Sequence, residues 1–313
     1  MWDVVRKSYD YKDNYVYETL FTLANGYLSL RGIEEFSKNT MKGTYVAGIF
    51  DKSEAQVTEL ANLADPLVLT LYVDGIPVNL DSAEVLSYER KLDMKNGTLV
   101  SKYEVKIKEK ILSIESVRLV SRVNLHRFGI KYKITPVNFS GKIIVENAID
   151  TNTYNGLLDP LNKVQHYRVC EIKDLQPGIG VRIRTNDKGH EIAFATTICA
   201  KDENGENILR FRKYREINQQ PVEIYTIFVS EKQTFTLEKY GTVYTSLETS
   251  NVFEHAKCEL EKFILNGFDE ELKAHISHME KIWDRMDIKI EGDELAQQGI
   301  RFNLFHLYAC APD

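Results

Sequence analysis

The chain has 313 residues, 43% of them hydrophobic and 27% charged, a composition of folded globular proteins rather than disordered ones. Its formal net charge of −6 argues against nucleic acid as the main partner, because that role needs a basic face. No apolar run reaches membrane-spanning length, the N-terminus shows no signal core, and the four cysteines lie far apart without paired spacing. The expectation is therefore no membrane, no zinc or disulfide framework, and a reducing cytoplasm.

From about residue 15 to 240 the chain is a series of strand-like runs punctuated by turn dipeptides. Residues 67–73, then Asp74-Gly75, then 76–80 predict a tight hairpin. Asn96-Gly97 predicts a second one between YERKLDM and TLVSKYEVKI. Further runs are ILSIESVRLV (111–120), FGIKYKI (128–134), KIIVENAI (142–149), GVRIRT (180–185), EIAFATTI (191–198) and VEIYTIFV (222–229). Turns fall at 138–141, 186–189 and 204–205. The density of β-branched and aromatic residues predicts an antiparallel β-sandwich, with sheets larger than those of an immunoglobulin-sized unit. The densest basic runs, KIKEK (106–110) and RFRKYR (210–215), read as decorated strand faces.

After about Ser246 the pattern becomes helical. Residues 247–263 form a candidate helix, and 268–286 form a better one. In the second, Asp269 is the expected cap and Leu272, Ile276, Met279 and Trp283 make one apolar stripe. A last helix is expected from the cap Asp293, with Leu295, Ile300, Phe302, Leu304, Phe305, Leu307 and Tyr308 apolar nearly all the way round. Such a helix should be buried. The chain thus reads as the first part of a longer protein, with residues after about 290 poorly ordered or covered by another copy. The expected division is a sandwich over 1–246, a helical linker over 247–289 and the opening helix of a further domain over 290–313.

Six segments carry a family resemblance: ETLFTLANGYLSLRGIEE (18–35), TYVAGIFD (44–51), ELANLADPLVLTLYVDG (59–75), RKLDMKNGTL (90–99), ITPVNFSGKIIVENAIDTNTYN (134–155) and WDRMDIKIEGDELAQQGIRFNLFHL (283–307). In order and spacing they resemble the N-terminal region of the disaccharide phosphorylases of glycoside hydrolase family 65, which act on maltose, kojibiose, nigerose or trehalose. The resemblance implies a mainly β fold: a large antiparallel β-sandwich (a supersandwich of the galactose-mutarotase type), then linker helices and the start of an (α/α)6 barrel. It implies phosphorolysis of an α-linked glucose disaccharide with inversion, giving β-glucose 1-phosphate. One glutamic acid protonates the leaving sugar while phosphate takes the place of an activated water. It also implies a homodimer, with inorganic phosphate as co-substrate and no metal or organic cofactor. The family's catalytic segment, resembling TG-x-(D/E)-E-Y, does not occur in these residues, so no catalytic residue is carried over.

The substrate-rim candidates are Asn25, Tyr27, Arg31, Asn152 and Tyr154. Asn25, Tyr27 and Arg31 accompany Gly26, Gly32 and the adjacent acids Glu34 and Glu35. On a strand those acids would point to opposite faces and could not serve one bond. The bland reading gives the glycines to turns and pairs Arg31 with a nearby acid. Asn152 and Tyr154 lie in a polar loop whose bland reading is an ordinary turn. Trp2, Tyr9, Tyr11, Tyr15 and Tyr17 could stack on sugar, but a segment packed over a sheet edge is the plainer expectation. His126 reads as a structural histidine, and His275 with His278 as a solvated helix face rather than a ligand pair.

Three functions compete at this point. The first is the non-catalytic N-terminal portion of an α-glucoside phosphorylase, acting as scaffold, dimer surface and active-site rim. The second is a free-standing carbohydrate-binding sandwich. The third, a mutarotase-like enzyme, needs a convergent His and Glu pair that the sequence does not display.

Overall fold

The computed structural model describes residues 1–53, 57–156 and 163–311. Among them the strands in chain order are β1 Asp3–Arg6, β2 Leu23–Ala24, β3 Leu28–Leu30, β4 Thr44–Val46, β5 Phe50–Asp51, β6 Glu59–Leu60, β7 Leu69–Val73, β8 Ile76–Pro77, β9 Glu84–Asp93 and β10 Thr98–Ile107. They continue with β11 Lys110–Val120, β12 Arg127–Pro136, β13 Gly141–Ala148, β14 Tyr167–Asp174, β15 Ile179–Thr185, β16 Glu191–Lys201, β17 Arg210–Ile217, β18 Gln220–Val229 and β19 Phe235–Thr245. The helices are α1 Asn14–Leu20, α2 Val252–Asn266, α3 Phe268–Met286 and α4 Glu294–Ala309.

The sandwich is built from a nine-stranded antiparallel sheet, ordered β1-β9-β10-β11-β12-β19-β16-β15-β14, and a five-stranded sheet, ordered β17-β18-β13-β7-β8. Both expected hairpins form. Asp74 and Gly75 turn with φ of 50° and 76°, and Gly97 turns with φ of 66° between β9 and β10. Alternation along most of β11 and the second half of β12 buries one side, where Leu112, Ile114, Ile130, Tyr132 and Ile134 enter the core, and both strands are buried on both sides where they meet at Arg118–Val120 and Arg127–Ile130. The five-stranded sheet covers the β14 to β16 part of this face, and the 21–46 segment, which carries the small antiparallel sheet β2-β3-β4, covers much of the rest. Phe21, Leu28, Leu30, Ile33 and Phe36 join the same core.

β16 is buried on both sides. Phe194 and Ile198 face the main core, while Ala193 and Ala195 lie under α2 beside Phe253, Ala256, Leu260 and Phe263. That is why EIAFATTI reads as an almost continuous apolar run instead of an alternating one. α3 spans the expected residues, but its N-cap is Gly267 and not Asp269. Asp269 stands in the first turn and binds Lys131 of β12 at 2.6 and 2.7 Å. α1 is a helix where strand-like pattern was expected, because Asn14 and Glu18 face inward one turn apart.

The final helix differs most from expectation. Asp293 caps it as predicted, accepting from the Ala296 amide at 2.9 Å. It docks on its own chain through one face, Gln297, Arg301, Phe305 and Ala309, each four residues apart and buried. Leu295 and Leu307 stay exposed. The apolar pattern overstated its burial because half of the true contact face is polar.

Candidate functional site

The 31–36 segment lies across the inner face of β9 to β12, and it is not a strand. Its irregular path lets Glu34 and Glu35 reach the same guanidinium, correcting the opposite-face expectation. Arg90 of β9 donates to Glu34 at 3.1 Å, to Glu35 at 3.4 Å and to the Ile33 carbonyl at 2.6 Å. Arg118 of β11 donates to Glu35 at 2.6 Å and to the same carbonyl at 2.7 Å. Tyr88 donates to Glu34 at 2.6 Å.

Two acids and two arginines balance in charge, which is what permits all four side chains to be almost wholly buried. Burial pushes the Glu34 carboxyl up despite Arg90. Burial would also raise Glu35, but Arg118 and Arg90 outweigh it and hold Glu35 below the usual carboxylate range. The local chemistry is that of a latch fixing the loop to the sheet. One oxygen of Glu34, Oε1, has no hydrogen-bond partner.

A second latch holds the helices. Glu271 of α3, fully buried, accepts from Ser121 at 2.5 Å, from Asn124 at 2.9 and 3.0 Å, and from Arg127 at 2.7 Å. Arg127 also binds Glu259 of α2 at 2.6 Å. His275, expected on a solvated face, is buried instead. Its Nδ1 accepts from the Arg122 amide and its Nε2 donates to the Gly97 carbonyl, each at 3.1 Å. Burial drives its pKa down to about 4, so the ring is neutral. Trp283 donates to the Met94 carbonyl at 2.8 Å and packs edge-on to Trp2 at 4.7 Å. None of these seats follows from a local motif, because each joins residues far apart in the sequence. The heptad-like stripe pointed to Met279 and Trp283 but not to the polar latch.

α4 is fixed in turn. Arg301 makes paired 2.8 Å bonds to Asp287 and stacks 3.7 Å from the Trp2 ring. Gln298 donates to the Asp3 carbonyl at 2.6 Å, and the Gly26 amide donates to the Ala309 carbonyl at 2.9 Å.

The five rim candidates do not form one cluster. Asn25 is buried with its amide used on the Ser121 and Leu125 carbonyls and its oxygen on the Tyr27 and Leu28 amides. Tyr27 donates to Glu248 at 2.6 Å and meets His126 edge-on, while His126 stacks 3.7 Å from Tyr244. Burial, then Glu248, raises the Tyr27 phenol far above its ordinary value. Arg31 lies 3.7 Å from Glu18 and donates to the Tyr15 carbonyl at 2.5 Å. Tyr154 and Asn152 sit on another loop: the Tyr154 carbonyl accepts from Asn62 at 3.0 Å, and the exposed Asn152 closes a turn on Asp150 at 2.9 Å. The tyrosine-rich N-terminus packs at the β1 and β9 edge, with Tyr9 against Tyr88 and Arg6 over the Tyr17 ring. Among the described residues no group of His, Cys, Asp and Glu is arranged to hold a metal, and no helix is long and apolar enough to cross a membrane.

A family model, Glycosyl hydrolase family 65, N-terminal domain, matches residues 4–282. The chain belongs to this family. Relatives include the kojibiose phosphorylase of Caldanaerobacter subterraneus subsp. tengcongensis, 39% identical over 98% of this chain and 41% of that protein. The alpha,alpha-trehalose phosphorylase of Thermoanaerobacter brockii is 32% identical over 98% of the chain and 42% of its own length. This family 65 chain therefore spans about two fifths of the curated relatives it matches. A solved structure provisionally described as a kojibiose phosphorylase from the human microbiome shares the fold, with a TM-score of 0.84 at 16% identity over 98% of the chain and 41% of that structure.

Proposed function

We propose that this chain serves as the non-catalytic N-terminal portion of an inverting α-glucoside phosphorylase, a cytoplasmic homodimer converting an α-linked glucose disaccharide and inorganic phosphate to β-glucose 1-phosphate and a free sugar. On this reading the catalytic acid and the phosphate site lie outside these residues, and no other cofactor takes part. The observation that carries the reading is the way α4 is held. Buried ionic latches tie α2 and α3 to the sandwich, and Arg301, Gln298 and Ala309 then fix α4 to the N-terminal strand and the Gly26 turn. The outward face of α4 presents Leu295 and Leu307, the apolar beginning of a helical domain that the sandwich alone does not cover. The sandwich is then a platform that sets where that domain starts. The test is capture of a separately produced catalytic portion of a family 65 phosphorylase by this chain. Binding that Leu307→Asp abolishes supports the platform. Equal binding by that variant, or no binding, contradicts it.

A further inference from the structure

Four exposed apolar side chains stand around the turn on which α4 is fixed. Phe50 is 46% exposed, Leu60 36%, Leu247 52% and Val123 46%. One exposed apolar residue needs no explanation, but a group drawn from separate elements does. The 25–27 turn is what brings these elements together. Its Gly26 amide donates to the Ala309 carbonyl of α4 at 2.9 Å, and its Tyr27 carbonyl accepts from the Ala47 amide at 2.8 Å, just before β5. The Asn25 side chain ties on the 121–125 loop that carries Val123. A Cβ placed on Gly48 would lie 2.9 Å from Leu247 Cδ1, so the turn after β19 abuts the start of the β5–β6 hairpin.

The hairpin strands are firmly held. Phe50 and Leu60 pair across β5 and β6 and share one face, while Asp51 and Glu59 share the other. Asp51 is fully buried, and its Oδ1 accepts from the Asp187 and Lys188 amides at 2.9 Å each. Buried His166 stands 3.5 Å from the second oxygen of Asp51 and 3.7 Å from Glu59. Phe50 and Leu60 are thus presented outward on a fixed support. The polar groups nearby are already used, since Tyr27 donates to Glu248 and His126 lies 3.4 Å from the same carboxylate. What is left over is apolar, and it suits an apolar protein surface rather than a charged or hydroxylated ligand.

Position decides the occupant. The chain matches 41% of the kojibiose phosphorylase of Caldanaerobacter, which leaves about three fifths of that relative outside the match. The four side chains surround the turn that receives the last residue of α4, the helix that leads out of the sandwich. We propose that Phe50, Leu60, Leu247 and Val123 form a second contact surface for the helical catalytic portion, separate from the outward face of α4. This rests on the platform reading and adds to it a grip supplied by the sandwich itself.

The experiment joins this chain, after α4, to the remaining part of that kojibiose phosphorylase. Hydroxyl-radical oxidation of side chains is then compared between the joined protein and the chain alone. Phe211 and Phe228, exposed on β17 and β18, serve as internal controls. Phe50 and Leu247 should be oxidised at least about fivefold more slowly in the joined protein, with the controls unchanged. Phe50→Asp should lower the thermal midpoint of the joined protein and leave that of the chain alone where it was. Unchanged oxidation of Phe50 and Leu247 beside a protected Leu307 would overturn the proposal and leave the platform reading standing. Unchanged oxidation of Leu307 as well would overturn both. Protection of Phe50 in the chain alone that fades on dilution would assign the surface to a second copy, and an equal fall of both midpoints would make Phe50 a part of the sandwich's own stability; either result sinks the proposal.

Discussion

Replacing Glu271 with alanine probes the hold of the helices on the sandwich. The carboxylate is fully buried and accepts from Ser121, Asn124 and Arg127. Breaking a buried ion pair by removing one partner costs about 3–5 kcal/mol. Arg127 keeps Glu259 at 2.6 Å, so the lower end applies, about 3 kcal/mol. The two tryptophans of the chain, Trp2 and Trp283, meet at this junction, so intrinsic fluorescence reports α3 docking directly. With a urea slope of about 3 kcal/mol per molar, the fluorescence midpoint should fall by about 1 M. Glu271→Gln retains an acceptor without the charge and should lose about half as much. An alanine midpoint within experimental error of the parent would refute the claim that this carboxylate secures α3.

Acid sensitivity should come partly from His275. Its folded pKa of about 4 lies below the ordinary value of 6.5, so the unfolded chain binds more protons between the two. This contribution is complete above about pH 6.5 and is lost as pH falls toward 4, by as much as about 3 kcal/mol. Urea midpoints taken from pH 7 to 4.5 should drop less steeply in His275→Gln than in the parent, although that variant starts lower. Gly97→Ala and Gly75→Ala separate backbone strain from collision. Both positions have positive φ, but a Cβ at Gly97 would sit 2.7 Å from His275 Nε2 while one at Gly75 meets nothing within 4 Å. Thermal unfolding should register about 1 kcal/mol for Gly75 and clearly more for Gly97. Arg301→Ala removes the paired bonds to Asp287 and the stacking on Trp2, and should weaken α4 docking by about 2–3 kcal/mol. Hydrogen exchange should then speed up in α4 while the strands of the sandwich keep their protection.

Much of the sandwich was legible because its signals are local. Asp74-Gly75 and Asn96-Gly97 supply positive φ where the strands reverse, and much of the runs at 111–120 and 128–134 alternates with period two. β17 hides behind its charges because most of it is exposed at an edge of the five-stranded sheet, and β14, at an edge of the nine-stranded sheet, is only partly covered. The latches were not legible. Glu34 and Glu35 looked like strand neighbours on opposite faces, and only the irregular loop brings both to Arg90. His275 looked solvated because its partners, Gly97 and Arg122, lie more than 150 residues away. α4 looked buried all round because composition does not reveal that Gln297 and Arg301 carry part of its contact face.

The most direct test is phosphate-dependent release of glucose 1-phosphate from kojibiose, trehalose, maltose and nigerose. It should be run first with this chain alone and then with the catalytic portion of a family 65 phosphorylase added. The account predicts silence from the chain alone and activity on addition that exceeds the catalytic portion by itself. Turnover by the isolated chain would place a catalytic acid among these residues and contradict the central claim.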